Sequence, residues 1–245
     1  MGHSLADVYA RKFDVLNRGY SGYNTEWALP VLEQVRLRPP SNSAVGSSPD
    51  SMNNTTSRAS DCSRSGLGPT TRACRGTSQH VPLSRFAENL RTMLRMITSA
   101  SSPYYMPDTK IIFISAPPVN TYQRGADLAH RDPPRDLDRN FETTRTYAEE
   151  VVKLGEREGV PVVDAWTRLW EAAGKEERAL ETYLYDGLHV NEAGYKVVYD
   201  GIVEVIAKYY PELRHEEVKY KLPSWDYFFD HTVEDFRKEY GLVVR

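Results

Sequence analysis

The chain has 245 residues and a mass of 28.0 kDa, enough to bury a sizeable core and best fitted by one α/β domain. With 31 Lys plus Arg against 34 Asp plus Glu, the net charge is −3 and the pI near 6.1, so no basic field recruits nucleic acid or an anionic membrane. Apolar residues make up 40% and charged residues 27%, and apolar runs such as 111–114 are far too short to span a bilayer, which excludes membrane insertion.

The first twenty residues carry Asp7, Arg11, Lys12, Asp14 and Arg18 with no apolar h-region, so a cytoplasmic chain without a secretory signal is expected. Residues 13–16 read as the first buried strand. From 39 to 80 the only large apolar residues are Val45, Met52 and Leu67, amid Ser, Thr, Asn, Arg and Gly. Such a composition does not offset its ordering entropy and reads as a disordered insert. Its two cysteines, Cys62 and Cys74, form neither a disulfide framework nor a metal-ligand spacing.

Leu83, Phe86, Leu90, Met93, Leu94 and Ile97 then recur at steps of three and four and predict an amphipathic helix. Residues 110–115 read as a second strand. Asp127, Asp132, Asp136 and Asp138 follow, interleaved with His130, Arg131, Arg135 and Arg139. They read as a solvated charged loop rather than a metal site. Phe141, Ala148, Val151, Val152 and Gly155 mark another helix, whose Glu149, Glu150, Lys153, Glu156, Arg157 and Glu158 make a solvated face. Residues 160–163 are the third strand. The last core helix runs through Val198, Ile202, Val205 and Tyr209, with Asn191 as N-cap and Pro211 as stop. Strands alternating with helices predict a parallel sheet covered on both faces, with ligands beyond the carboxyl ends of the strands. The aromatic tail 211–245 reads as an extension packed over the sheet, in preference to a lid or a dimer surface.

The sharpest local signal is Tyr185-Asp186-Gly187-Leu188-His189-Val190-Asn191-Glu192-Ala193-Gly194-Tyr195. An Asp and a His three apart, just before a helix, can share one turn, so that the carboxylate orients the imidazole. That is the base and orienter of a nucleophilic triad. From spacing alone, a structural Asp capping a turn beside a surface His is the favoured reading.

The block D-G-L-H-x-N-E-A-G-Y at residues 186–195 resembles the last signature block of the SGNH, or GDSL, hydrolases, specifically the isoamyl acetate-hydrolysing esterase-like branch. The run L-N-R-G-Y-S-G-Y-N-T at 16–25 is similar to that branch's second block, and residues 110–118, 126–140 and 220–225 also follow its order and spacing. The resemblance implies a flavodoxin-like three-layer α/β/α sandwich around a parallel sheet, incomplete here. It also implies a single esterase domain that hydrolyses small carboxylic esters without metal or cofactor. It places His189 as the base, Asp186 as its orienter, and Gly22 as a backbone N–H donor to the oxyanion, beside an Asn of a G-A-N-D block. Each such donor is typically worth about 3–4 kcal/mol.

Two blocks depart from the pattern. The opening residues Gly2, His3, Ser4 and Leu5 imitate G-D-S-L, but no strand precedes them, and 5–12 resembles the family's first helix, which follows the serine. Ser4 is therefore read as a residue of that helix start, not as the nucleophile, and no nucleophile is identified. Where G-A-N-D-A-C-L-P belongs, the chain has G-P-T-T-R-A-C-R at 68–75. Codons for the former read as the latter when one base is dropped, so this segment is expected to be out of frame, with Thr70 in place of the Asn. Two functions follow as expectations: a small-ester hydrolase inactive in this literal sequence, or a non-catalytic remnant serving as a binding module.

Overall fold

The computed structural model describes residues 2–17, 19–36, 79–220 and 222–241, with the side chains of residues 2–4, 35 and 36 outside that description. The segment 37–78, with Cys62, Thr70, Cys74 and the block 68–75 that is expected to be out of frame, also lies outside it. So does the side chain of Ser4, whose backbone belongs to the first helix.

The elements in order are α1 (Gly2–Val8), α2 (Thr25–Arg36), α3 (Leu83–Thr98), β1 (Phe113–Ile114), α4 (Thr121–Ala129), α5 (Phe141–Glu158), β2 (Val162–Val163), α6 (Ala165–Ala172), α7 (Glu192–Tyr209) and α8 (Val233–Glu239). Several of the helices begin where an Asn or Asp side chain accepts a backbone N–H of the first turn. Asn120 takes Gln123 N–H at 3.0 Å, Asn140 takes Thr143 N–H at 3.0 Å, Asp164 takes Thr167 N–H at 3.2 Å, and Asn191 takes Gly194 N–H at 3.1 Å.

β1 and β2 pair in parallel, Phe113 opposite Val162 and Ile114 opposite Val163. Because side chains alternate along a strand, Phe113 and Val162 point to one face, where Val81, Phe86, Tyr147 and Val151 bring α3 and α5 against them. Ile112 and Val163 point to the other, into a core of Leu169, Leu180, Leu184, Val198, Ile202 and Val205 carried largely by α6 and α7. Helices thus cover both faces of a parallel strand pair, and the class is α/β. Arg91 of α3 is bonded to Glu158 at the end of α5 at 2.8 Å, tying the two helices of one layer. Between the layers, Ser115 N–H donates to Val163 C=O, its hydroxyl donates to Asp164, and Trp166 N–H donates back to that hydroxyl, so the end of β1 is pinned to the start of α6.

Two expectations change. Residues 13–16 form no strand among the described residues: Phe13 and Leu16 are exposed, and a hydrophobic run without a neighbouring edge has nothing to pair with. β1 and β2 satisfy each other along their shared edge. Each keeps one outer edge among the described residues, and Ile114 beside that edge is 43% exposed. The aromatic tail does not bury its rings over the sheet. In the 3₁₀ turn Trp225–Phe229 and in α8 no residue is buried. The rings pack on one another, Trp225 on Phe229 at 5.0 Å, Phe236 on Tyr240 at 4.9 Å, and Tyr227 stacked on His231 at 4.1 Å. Such contacts hold a local cluster together without a larger core.

Candidate active site

The segment between the 3₁₀ turn Arg178–Thr182 and α7 folds back on itself. Tyr185 N–H donates to His189 C=O at 2.8 Å and Asn191 N–H to Tyr183 C=O at 3.0 Å, leaving Asp186, Gly187 and Leu188 at the tip. One oxygen of Asp186 accepts the backbone N–H groups of Leu188 at 3.1 Å and His189 at 2.9 Å. This Asx-type turn brings the His189 ring onto its own acid: Nδ1 lies 3.0 Å from one carboxylate oxygen and 2.9 Å from the other. An ionised carboxylate only accepts, so the Nδ1 bears the proton and Nε2 carries the lone pair. The ring's hydrogen bonds among the described residues all lie on the Nδ1 side.

The turn docks on the segment leaving the carboxyl end of β1. Asn120 N–H donates to Gly187 C=O at 2.9 Å, and the Gln123 side chain donates to the carbonyls of Leu184 and Tyr185 at 3.2 and 3.0 Å. Gly187 has φ +79°, and a Cβ there would lie 2.4 Å from Arg124 N and 2.5 Å from Asn120 O. Only glycine fits both the backbone and the approach. The Asp186–His189 pair thus lies beside the segment that leaves the carboxyl end of β1.

Arg124 stands behind the acid. It is buried, 4% exposed, and donates from Nη1 to Asp186 at 2.7 Å, from Nε and Nη2 to the two oxygens of Asp138 at 3.0 Å each, and from Nη1 to Asp127 at 3.2 Å. Burial works against ionisation of Asp186, but the hydrogen bonds from the His189 ring and backbone, with the Arg124 charge, outweigh it. They hold the carboxyl well below the usual carboxylate range. Asp138 is likewise held low, its burial outweighed by Arg124 and Arg139, and the Arg124 guanidinium is in turn pushed up against its own burial by Asp138.

The acid- and arginine-rich stretch is thus not a uniformly solvated loop. Asp132, Arg135 and Asp136 are exposed as expected, whereas Arg124 and Arg139 are buried and Asp127 and Asp138 bond to arginines. Sequence reading missed Arg124. The available signal was its place four residues before the buried Leu128, a cation on the inward stripe of a helix.

Gly22 occupies the turn before α2 with φ +79°, and the Gln79 side chain donates to its carbonyl at 3.3 Å. Its neighbours are fixed: Asn24 caps α2 through Trp27 N–H at 2.9 Å, and the buried Thr25 hydroxyl accepts from Asn89 of α3 at 3.1 Å. No hydrogen bond among the described residues joins Gly22 to the Asp186–His189 pair. The structure therefore brings together Asp186 and His189, while Gly22 sits on the unit made by α2 and α3.

Residues 1–197 match the model of the GDSL-like Lipase/Acylhydrolase family. The chain belongs to that family. It is 31% identical over 228 residues to the GDSL esterase/lipase At5g62930 of Arabidopsis thaliana, covering 91% of this chain and 83% of the relative. It is 28% identical to the isoamyl acetate-hydrolyzing esterase of Saccharomyces cerevisiae (strain ATCC 204508 / S288c), over 92% of this chain and 82% of the relative. To the isoamyl acetate-hydrolyzing esterase 1 homolog of Bos taurus it is 30% identical, over 99% and 84%. As in the sequence reading, this GDSL family member is an α/β chain of a hydrolase family. No described helix is long and apolar enough to cross a membrane.

Proposed function

We propose that this chain carries the acid–base half of an SGNH-type esterase acting on small, acetate-like carboxylic esters. The observation that carries the reading is the Asp186–His189 pair, with the ring proton held on Nδ1 and Nε2 presented as base. In the reaction, His189 Nε2 takes the proton of a hydroxyl nucleophile as its oxygen bonds the ester carbonyl carbon. The imidazolium, stabilised by Asp186, then returns the proton to the departing alkoxide, and a water repeats the sequence on the acyl-enzyme. Gly22 is the proposed backbone donor to the oxyanion.

The 245 residues as they stand hydrolyse such esters negligibly in this reading. The block at 68–75 has Thr70 for the amide donor, and no G-D-S serine occurs in the sequence. The experiment is to restore the reading frame of 68–75 and add a strand followed by G-D-S-L ahead of residue 5, then assay 4-nitrophenyl acetate. Hydrolysis that disappears with His189→Ala is the expected result. A restored chain that stays inactive, or one whose activity survives His189→Ala, defeats the assignment. Hydrolysis by the unmodified chain that His189→Ala abolishes would defeat the claim of inactivity alone.

A further inference from the structure

We propose that Arg124 is a positioning residue for His189: clamped by Asp138, it fixes the Asp186 carboxylate and, through it, the orientation and tautomer of the imidazole. This rests on reading His189 as the base. The geometry carries it in three steps. The soft motion of an aspartate is rotation of its carboxylate, because a terminal sp³–sp² torsion has broad wells. In Asp186 one oxygen is engaged by the N–H groups of Leu188 and His189, and the other by Arg124 Nη1 at 2.7 Å, so rotation is opposed at both ends. Arg124 is itself aimed: Nε and Nη2 make a two-pronged pair with the two oxygens of Asp138, and the planar fork then leaves Nη1 directed at Asp186.

Burial supports the same assignment. The Arg124 side chain is 5% exposed and those of Asp138 and Asp186 are 28% and 14% exposed. Desolvating such groups is costly, and apolar packing would stabilise the fold at least as well. What packing cannot supply is a fixed direction for one carboxylate. Arg131, which bonds Asp127 at 2.6 Å and reaches 3.9 Å from Asp186, adds a second, more exposed cation on that side.

The test uses the full chain with its histidines labelled with ¹⁵N, reading the His189 ring by NMR at neutral pH. In the unaltered protein the proton resides on Nδ1. Arg124→Lys keeps the charge and removes the fork. Arg124→Gln with Asp138→Asn removes both members of the clamp and keeps the charge balance. Each is expected to lower the Nδ1–H fraction about two-fold or more, because the ring loses a fixed acceptor. A folded variant of either kind with the unaltered tautomer distribution overturns the proposal. Loss of the fold in both assigns the clamp to the scaffold and overturns it as well. The ring spectrum needs no turnover, so an absence of hydrolysis leaves this test intact, and a negative result here leaves the esterase reading standing.

Discussion

Gly187→Ala tests whether the turn is held by its approach to α4. The new Cβ would sit 2.4 Å from Arg124 N, 2.5 Å from Asn120 O and 2.9 Å from Arg124 Cα, all backbone atoms that no rotamer change can move. The residue must also keep φ +79°, which costs an L-residue about 1–2 kcal/mol. To clear the overlap the tip has to withdraw from α4, breaking the Asn120–Gly187 bond, worth about 1 kcal/mol, and loosening the charged Arg124–Asp186 bond, worth about 1.5–3 kcal/mol. Together these amount to about 4–6 kcal/mol. For a chain of this size that lowers Tm by about 8–24 °C in a thermal melt followed by circular dichroism. A variant melting within about 2 °C of the parent would show that the turn tolerates a side chain there, and the account of its docking would be wrong.

Gly125, next to Arg124 in α4, provides the opposite sign. A Cβ built on it meets nothing within 4 Å, so Gly125→Ala is expected to stabilise by about 0.5–1 kcal/mol and raise Tm by about 1–4 °C in the same melt. For Asp186 the sign follows from linkage: its carboxyl is held low in the fold, so the unfolded chain binds more protons in acid. Its contribution is complete above the unfolded carboxylate range, about pH 4, and is lost as pH falls through the folded value. Urea unfolding from pH 5 downward should therefore show a shallower loss of stability in Asp186→Asn than in the parent, and equal slopes would contradict the pairing. In the core, Leu169 is fully buried between α6 and α7, and Leu169→Ala is expected to cost about 2–5 kcal/mol by the same unfolding assay.

What could be read in the sequence was whatever a short window specifies. The helices α3, α5 and α7 appear where the apolar spacing puts them, and Asn191 caps α7 as its side chain chemistry dictates. The two strands lie inside the expected runs but are shorter, because a strand extends only as far as a partner matches it. Residues 13–16 have the right composition and no partner among the described residues, which no local pattern reveals. The helix α2 contains Pro30, a residue that argues against a helix interior, and is held instead by packing on α3. Asp186 and His189 were legible because three residues separate them. Arg124 was not, since Asp138 and Asp186 lie 14 and 62 residues away, and Asp186 reaches it only through the docking of the turn on α4.

The same distinction governs how the two halves of the proposed chemistry depend on the fold. The base and its orienter are assembled by an Asx-type turn, a two-bond backbone return and the start of α4, all contributed by the carboxyl-terminal half of the chain. Their geometry therefore does not require additional strands beside β1. Gly22 is different. It sits on the unit of α2 and α3, and its placement relative to His189 is set by how that unit seats against the strand pair through Val81, Phe86, Phe113 and Val162. A perturbation of that interface, such as Phe86→Ala, should displace Gly22, the proposed oxyanion donor, while leaving the His189 ring tautomer unchanged. The Asp186–His189 pair is the sturdier half because its contacts are local, and the Gly22 turn is the half that answers to how the α2–α3 unit seats on the strand pair.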